Sequence, residues 1–276
     1  MKFNNLKQTN PAKYNNLMIV DSLNLAFRWK HIHKLDFSSE YINTINSLAK
    51  SYEAKRIIIV GDLGSEWRKE KYPEYKQNRE ELKKKQTEEE LQEFKLFLKE
   101  LDNALNLLEA NNYTVLKFSG VEADDIAAYI IKQVENDYEH NWLISSDKDW
   151  DILLSKKVSR FSYITRKEYT LNNFIDHYGY PQNMHLSIKV LMGDKGDNIE
   201  GIVGVGEKRA YNILKNYGPT ALDVLDELPI DSKYVHIKKL NEFGNKILLN
   251  YELMDLLTFC EEAIGETNLN IIKENL

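Results

Sequence analysis

Three short segments of this chain are apolar at nearly every position and end in aspartate, and they constrain the fold more than any other feature. They are NLMIVD at 16–21, RIIIVGD at 56–62 and NWLISSDKDWD at 141–151. Such runs, separated by amphipathic segments of helical period, are typical of strands buried on both faces of a parallel sheet. YTVLKF at 113–118 and VSRFSYI at 158–164 supply two more strand candidates. We therefore expect an α/β fold with a mostly parallel central sheet flanked by helices.

The composition excludes several kinds of protein and site. The 276 residues contain one cysteine, Cys260, which rules out a disulfide framework and a cysteine zinc site. The six histidines show no metal-ligand spacing. No segment approaches the roughly 18 uncharged apolar residues that a membrane span needs, and the polar start of the chain does not resemble a signal peptide. The sequence therefore predicts a cytoplasmic protein without a membrane anchor.

Carboxylates gather where the predicted strands end. Asp21 and Asp62 close the first two strands, Asp147 and Asp149 follow the third, and GVEADD at 120–125 follows another candidate strand. Ligands of parallel sheets lie beyond the carboxyl ends of the strands, so these side chains are expected to converge on one edge. Taken singly, each is an ordinary turn or helix cap. The full set comprises Asp21, Asp62, Glu122, Asp124, Asp125, Asp147, Asp149, Asp194 and Asp197.

Nine converging carboxylates require that several of them stay protonated or that hard cations are bound. Each like-charged pair at about 4 Å costs several kcal/mol at an effective dielectric near 20. An all-oxygen ligand set selects Mg²⁺ or Mn²⁺, and more than one ion is needed to balance the charge. Paired ions of this kind assist phosphodiester hydrolysis. The net charge of −6 speaks against a nucleic-acid partner, but without the nine site acids the rest of the chain carries +3.

Residues 64–90 form a charge-dense stretch with tyrosines set among lysines and arginines. Two interpretations are open: a solvated helical excursion, or a mobile gate that contacts phosphates. The helix predicted after it packs on the body of the protein through apolar positions spaced by three and four. These positions are Leu91, Phe94, Leu98, Leu101, Leu105 and Leu108.

The segment 184–218 has the order helix, acidic loop, glycine hairpin, helix. Its G-x-x-G-x-G spacing does not follow a strand, which weakens a dinucleotide-binding interpretation. A tight glycine turn before a helix presents backbone N–H groups and cations to a phosphate, which favours a DNA-binding helix-hairpin-helix. An ordinary turn between packed helices is the alternative. The residues predicted to bind are Gly201, Gly204, Gly206, Lys208 and Arg209.

The motifs LMIVDSLNLAFRWKH, PEYKQNR, GVEADDIAAYI, LISSDKDWD, LMGDKGDNIEG and GVGEKRAYNI resemble those of the bacteriophage 5′-3′ exonuclease and flap endonuclease family. The similarity runs in the same order from about residue 16 to at least 260. The family is related to the 5′-nuclease domain of DNA polymerase I. The resemblance implies a PIN-like 5′-nuclease domain over 1–180, with a helical arch at about 64–90. A helix-hairpin-helix DNA-binding region over 181–276 packs on it.

The resemblance also implies roles for individual residues. The first metal would be surrounded by Asp21, Asp62, Glu122, Asp124 and Asp125, and the second by Asp147, Asp149, Asp194 and Asp197. Lys76 matches the arch lysine that stabilises the scissile phosphate. The other matching basic and aromatic positions are Arg28, Lys30 and Arg79 near the site and Tyr75, Lys189, Lys208 and Arg209 in DNA binding. Carbonyls of the hairpin match a site for a monovalent cation such as K⁺.

The predicted function is that of a free-standing, monomeric, structure-specific 5′ nuclease of phage or bacterial DNA replication. Its substrates are branched or 5′-ended DNA, namely flaps and 5′ overhangs, and RNA primers in RNA/DNA hybrids; for a phage protein the location is the host cytoplasm. Metal-assisted hydrolysis would leave a 5′-phosphate and a 3′-hydroxyl, with no protein nucleophile. Two alternatives are a PIN-type RNase, which does not need the segment 184–218, and a non-catalytic DNA-binding protein, which does not need the acids.

Overall fold

The computed structural model describes residues 15–276, so the polar segment 1–14 at the start of the predicted first domain lies outside the described residues. The strands are β1 Asn16–Asp21, β2 Ala54–Gly61, β3 Thr114–Lys117, β4 Asn141–Ile144, β5 Val158–Ser162 and β6 Lys167–Tyr169. The helices before β5 are α1 Ser22–Lys30, α2 Ser38–Ser51, α3 Glu66–Lys71, α4 Gln77–Lys84, α5 Glu88–Ala110 and α6 Ala123–Val134. The later helices are α7 Phe174–Tyr178, α8 His185–Met192, α9 Glu207–Tyr217, α10 Ala221–Asp226, α11 Val235–Met254, α12 Leu256–Ile264 and α13 Glu266–Glu274. No helix within residues 15–276 is both long enough and apolar enough to cross a membrane.

The six strands form one sheet in the order β3-β2-β1-β4-β5-β6. All neighbouring pairs are parallel except β5 and β6, which are antiparallel. The prediction of a mostly parallel sheet flanked by helices is confirmed, and every predicted strand is present. The short edge strand β6 was not predicted, because KEY at 167–169 is three polar or half-polar residues with no apolar run.

Alternate residues of β1 point into two cores on opposite faces of the sheet. Leu17 and Ile19 pack with α6, α12 and α13, whereas Met18 and Val20 pack with α1, α2 and α5. All four side chains are fully buried. This two-sided burial explains why the strand is apolar at every position rather than at every second one.

A third core lies in the C-terminal part and joins helices α8 to α11 with the glycine hairpin. The chain then returns to the sheet, because Leu256, Cys260, Ile264 and Ile272 belong to the core under α6. The expected domain division at residue 180 stays a prediction. The last two helices nevertheless clamp the C-terminal part onto the sheet.

Helix α5 packs on the body of the protein as predicted, except that Phe97 is buried in place of Leu98. Thr87 caps its start in a reciprocal pair with Glu90, which fixes where the helix begins. Leu101, Leu105 and Leu108 are buried as predicted, but Leu98 is 37% exposed and Phe97 is fully buried. Phe97 was not among the predicted buried positions. Its ring centre lies 5.6 Å from that of Phe37 and 5.7 Å from that of Phe27. Contacts with aromatic rings of α1 and of the residue before α2 therefore explain why Phe97 is the buried residue.

We predict that Phe97→Ala lowers the free energy of unfolding by about 3 to 5 kcal/mol, because it opens a cavity in a filled core. Leu98→Ala is the matched control on the same helix and should cost less than about 1 kcal/mol, because that side chain is partly solvated. Urea denaturation of both variants measures the difference. Equal losses would contradict the packing of α5 described above.

Candidate metal centre

An acidic cavity lies at the point where the strand order of the sheet reverses, between the carboxyl ends of β1 and β4. In open α/β sheets this switch point is the usual ligand site. The cavity measures about 280 Å³, and seven of the nine predicted acids line it. These seven are Asp21, Asp62, Asp124, Asp147, Asp149, Asp194 and Asp197.

Backbone geometry at the strand ends aims the first of these carboxylates. Asp21 is the last residue of β1 and caps α1 by accepting a hydrogen bond from the Asn24 amide at 3.1 Å. Its second oxygen accepts from the Ser145 hydroxyl at 2.9 Å. The same hydroxyl accepts from the Asp147 amide at 3.1 Å. Ser145 therefore links the acid that ends β1 to the acid that follows β4.

The acidic loop after α8 presents the remaining pair. Gly193 ends the helix, and Asp194 forms a two-bond backbone bridge with Ile199 at 2.7 and 2.8 Å. The Asp194 carboxylate accepts from the amides of Gly196 and Asp197 at 2.7 and 3.2 Å. These bonds close a tight loop that directs both aspartates toward the cavity.

The base of the predicted arch inserts two cations among the acids. Lys76 has a left-handed backbone (φ 56°), and its amide donates to the carbonyl of Asp197 at 2.9 Å. Its ammonium bonds Glu122 and lies 3.8 Å from the Asp197 carboxylate. Arg79 lies beside it and donates to the same carboxylate of Asp197 at 2.5 Å. Both residues line the acidic cavity.

Lys189 also lies in this centre, although its predicted place was the duplex-binding surface. It is largely buried, it forms an ion pair with Asp149, and it stands 3.4 Å from Asp194. The structure therefore brings it together with the second group of acids. Its assignment to DNA binding stays a prediction.

Two of the nine predicted acids do not line the acidic cavity. Glu122 and Asp125 are 2% and 1% exposed, and both bind the buried guanidinium of Arg68 at 2.7 Å. Tyr75 is buried as well, and its hydroxyl donates to Glu122 and to Asp197 at 3.2 and 3.0 Å. Tyr75 is only 3% exposed, so in this structure it donates hydrogen bonds to buried carboxylates and does not lie on a surface open to DNA.

Arg28 and Lys30 lie away from the acids. Arg28 is on the exposed side of α1, where it donates to the Tyr163 hydroxyl at 2.6 Å and lines a separate cavity. The Lys30 ammonium lies 5.2 Å from the ring centre of Phe94. Neither contacts a site carboxylate, so the structure does not bring them into the metal centre.

The glycine hairpin forms its own exposed surface. A side chain at Gly201 would meet the Met192 carbonyl at 1.7 Å, so the close approach to α8 requires glycine there. Gly204 has a φ of +77°, and Gly206 precedes the first turn of α9. Lys208 and Arg209 are exposed in that turn. The arrangement predicted for phosphate binding is thus present, on a surface distinct from the acidic cavity.

Burial and mutual repulsion disfavour the ionised form of several site acids. Burial, reinforced by the charges of Asp147 and Asp62, raises the pKa of Asp21 to about 7. Burial and the adjacent Asp149 raise the pKa of Asp147 to about 6. Burial, reinforced by the charges of Asp147, Glu122 and Asp21, raises the pKa of Asp124 well above its ordinary value. Burial acts on Asp149 as well, but the ammonium of Lys189 outweighs it and holds that pKa low.

The donor set fits hard divalent cations held partly through water. Within residues 15–276 no three Asp, Glu, His or Cys side chains converge closely enough to chelate an ion directly. The cavity has room for several waters, each of which needs about 30 Å³. Mg²⁺ keeps several waters and takes only one or two carboxylates directly. Seven aspartates around such a space suit one or more hydrated ions.

Two residues of the centre escaped the sequence analysis. Arg68 stands in a run of alternating charges, where one arginine looks solvated, and only the fold shows that it is buried. Ser145 follows β4 directly, and a serine at a strand end is an ordinary turn residue. The charge of the acids requires a cationic partner inside the protein. The sequence pattern alone does not indicate which lysine or arginine is that partner.

Comparisons with known proteins support one family. Residues 16–179 match the family described as 5′-3′ exonuclease, N-terminal resolvase-like domain. The flap endonuclease of Escherichia phage T5 is 44% identical over 274 residues, which covers 98% of this chain and 94% of that protein. A crystal structure of a bacteriophage T5 flap endonuclease in a pseudo-enzyme-product complex with DNA and metal ions has a TM-score of 0.90 at 44% identity, over 95% of this chain and 97% of the other. T5 5′-exonuclease with bound zinc has a TM-score of 0.91 at 44% identity, over 95% and 98%.

We predict that the metal-free protein loses part of its stability as the pH rises, and that Asp21→Asn removes that part. The folded-state pKa of about 7 lies above the ordinary 3.8, so the contribution is complete below the ordinary value and is lost as the pH rises through about 7. Urea denaturation in EDTA at about pH 5 and about pH 8 should show a larger drop for the wild type, by a few kcal/mol at most. The asparagine oxygen can still accept from the Asn24 amide, and its NH2 group can donate to the Ser145 hydroxyl oxygen, so the variant has nearly the same volume and local contacts. The same pH dependence in both proteins would contradict the raised pKa.

Proposed function

The chain belongs to the 5′-3′ exonuclease family, and we propose that it is a structure-specific 5′ nuclease with flap endonuclease and 5′-3′ exonuclease activity. Family membership confirms the resemblance drawn from the motifs. The observation that carries the proposal is the set of seven aspartates around one cavity at the switch point of the sheet. They occur in a chain 44% identical to a flap endonuclease over nearly its whole length.

We propose that the centre holds two or more Mg²⁺ or Mn²⁺ ions. Asp21, Asp62, Glu122 and Asp124 would serve the first, and the aspartates at 147, 149, 194 and 197 the second, with ligation partly through water. Bound ions of this kind act as Lewis acids and lower the pKa of water, which supplies the nucleophile for phosphodiester hydrolysis. K⁺ at the hairpin carbonyls belongs to the same proposal.

The residues of the chain itself position the scissile phosphate and balance its charge. Lys76 and Arg79 reach the cavity from the arch side and offer cationic donors to a phosphate that enters it. Their present partners, Glu122 and Asp197, hold them at the rim. Transition-state charge on a phosphoryl group is chiefly stabilised by such preorganised donors. No serine, cysteine or histidine nucleophile is required.

The surfaces around the centre suit a duplex with a single-stranded 5′ end. The exposed hairpin before α9 presents backbone amides with Lys208 and Arg209 to a duplex phosphate. The exposed α4 carries further lysines in its last turn. We propose that the enzyme acts as a monomer on flaps, 5′ overhangs and RNA primers during DNA replication in the cytoplasm, which is that of the host if the protein is phage-encoded.

We predict that Asp194→Asn slows single-turnover cleavage of a flap duplex roughly 10²- to 10⁴-fold and leaves DNA affinity largely intact. Asparagine preserves the loop hydrogen bonds of Asp194 and removes only its charge. Cleavage and binding of a 5′-labelled flap in Mg²⁺ measure the two quantities separately. Asp176→Asn, on exposed α7, is the matched control and should leave both unchanged. Equal losses of rate and affinity would count against a metal role for Asp194.

We predict that Lys76→Ala lowers the single-turnover rate about 10²- to 10³-fold, since one transition-state donor is lost. Lys50→Ala is the control, because Lys50 is exposed in the last turn of α2 and has no proposed role at the site. The rates are compared at saturating enzyme, where weaker binding no longer limits them. An unchanged rate for Lys76→Ala would refute its role at the phosphate.

A further inference from the structure

Asp125 uses both of its carboxylate oxygens inside the protein. Arg68 holds one at 2.7 Å and the other at 2.8 Å in a two-pronged pair, and both side chains are at most 2% exposed. Asp125 also lines neither the acidic cavity nor the small cavity of about 10 Å³ behind it. A carboxylate engaged in this way has no oxygen directed at an ion in the acidic cavity.

The same guanidinium fixes one end of Glu122. Arg68 donates to Oε2 of Glu122 at 2.7 Å, while Oε1 receives Lys76. The Tyr75 hydroxyl lies 3.2 Å from each oxygen. Arg68 thus holds the inner oxygen of Glu122 and leaves the outer one facing the cations and acids of the centre.

Arg68 also ties the base of the arch to the C-terminal part. It lies in α3, and its Nε donates to the carbonyl of Leu253 at 2.9 Å, near the end of α11. Four of the five N–H donors of the guanidinium are therefore used: one by Leu253, one by Glu122 and two by Asp125. Lysine cannot reproduce this fork, because an ammonium lacks its planar geometry.

We propose that Arg68 and Asp125 are a positioning pair, in which Asp125 orients Arg68 and Arg68 aims Glu122 at the metal centre, and that Asp125 itself does not coordinate metal. The proposal rests on the proposed metal-dependent function. It differs from the ligand set that the family resemblance implies, in which Asp125 surrounds the first metal. Outer partners that orient a ligand typically change metal affinity 10- to 100-fold when they are replaced.

The test is Mn²⁺ binding to the DNA-free protein, measured by electron paramagnetic resonance, for wild type, R68K, D125N and the double variant R68K/D125N. We expect each single variant to bind the affected Mn²⁺ about 10- to 100-fold more weakly. The double variant should be no weaker than the weaker single one, because both changes break the same connection. Losses that multiply would show that Asp125 coordinates metal directly, and wild-type affinity in R68K would overturn the pair.

A second variant separates positioning from simple stabilisation. Replacing both members of a buried ion pair by apolar residues of similar volume is often neutral or favourable for stability. Glu122 keeps Lys76 as its cation in R68M/D125L, so the variant should stay folded at the assay temperature, with an unfolding temperature lowered only by the lost bonds to Glu122 and Leu253, while its Mn²⁺ binding stays 10- to 100-fold weaker. Recovery of Mn²⁺ affinity together with stability would overturn the positioning role. A wild-type protein that binds no Mn²⁺ would reject the proposed function instead.

Discussion

Repulsion among buried carboxylates at one edge of the sheet is the constraint on which the rest of the structure depends. Ionised acids placed close together in a medium of low dielectric are strongly unfavourable unless cations balance them. In the metal-free protein this unfavourable energy appears as raised pKa values for Asp21, Asp124 and Asp147. In the proposed function, this excess of negative charge attracts divalent cations, and the bound cations in turn bind a phosphodiester.

Four of the protein's own cations pair with site acids, and one of them is Arg79, which binds Asp197. Arg68 serves the acids at the start of α6, Lys76 enters from the arch, and Lys189 serves Asp149. They come from the predicted arch segment and from α8, so the charge balance also ties the arch and the C-terminal part to the sheet. The last two helices complete this connection by packing under α6. Replacing any of these cationic side chains should therefore change the charge balance of the metal centre.

Much of this arrangement could be predicted from sequence because it follows from strand ends. Apolar runs that stop at Asp21 and Asp62 fix both the sheet and the edge at which the acids meet. Side-chain partnership could not be predicted in the same way, since it depends on where distant segments pack. Asp125 resembles its neighbours in sequence, yet it turns inward to Arg68, and Phe97 displaced the expected Leu98 through aromatic contacts with other helices.

Single-turnover cleavage of a 5′-labelled flap duplex, with Mg²⁺ and with EDTA, tests the central claim most directly. The same flap sequence as an unpaired single strand is the companion substrate. We expect cutting near the flap junction that requires the metal and is much faster on the branched substrate. Tight binding of the flap with no cutting in either Mg²⁺ or Mn²⁺ would contradict the account, because the acidic cavity would then be no working catalytic centre.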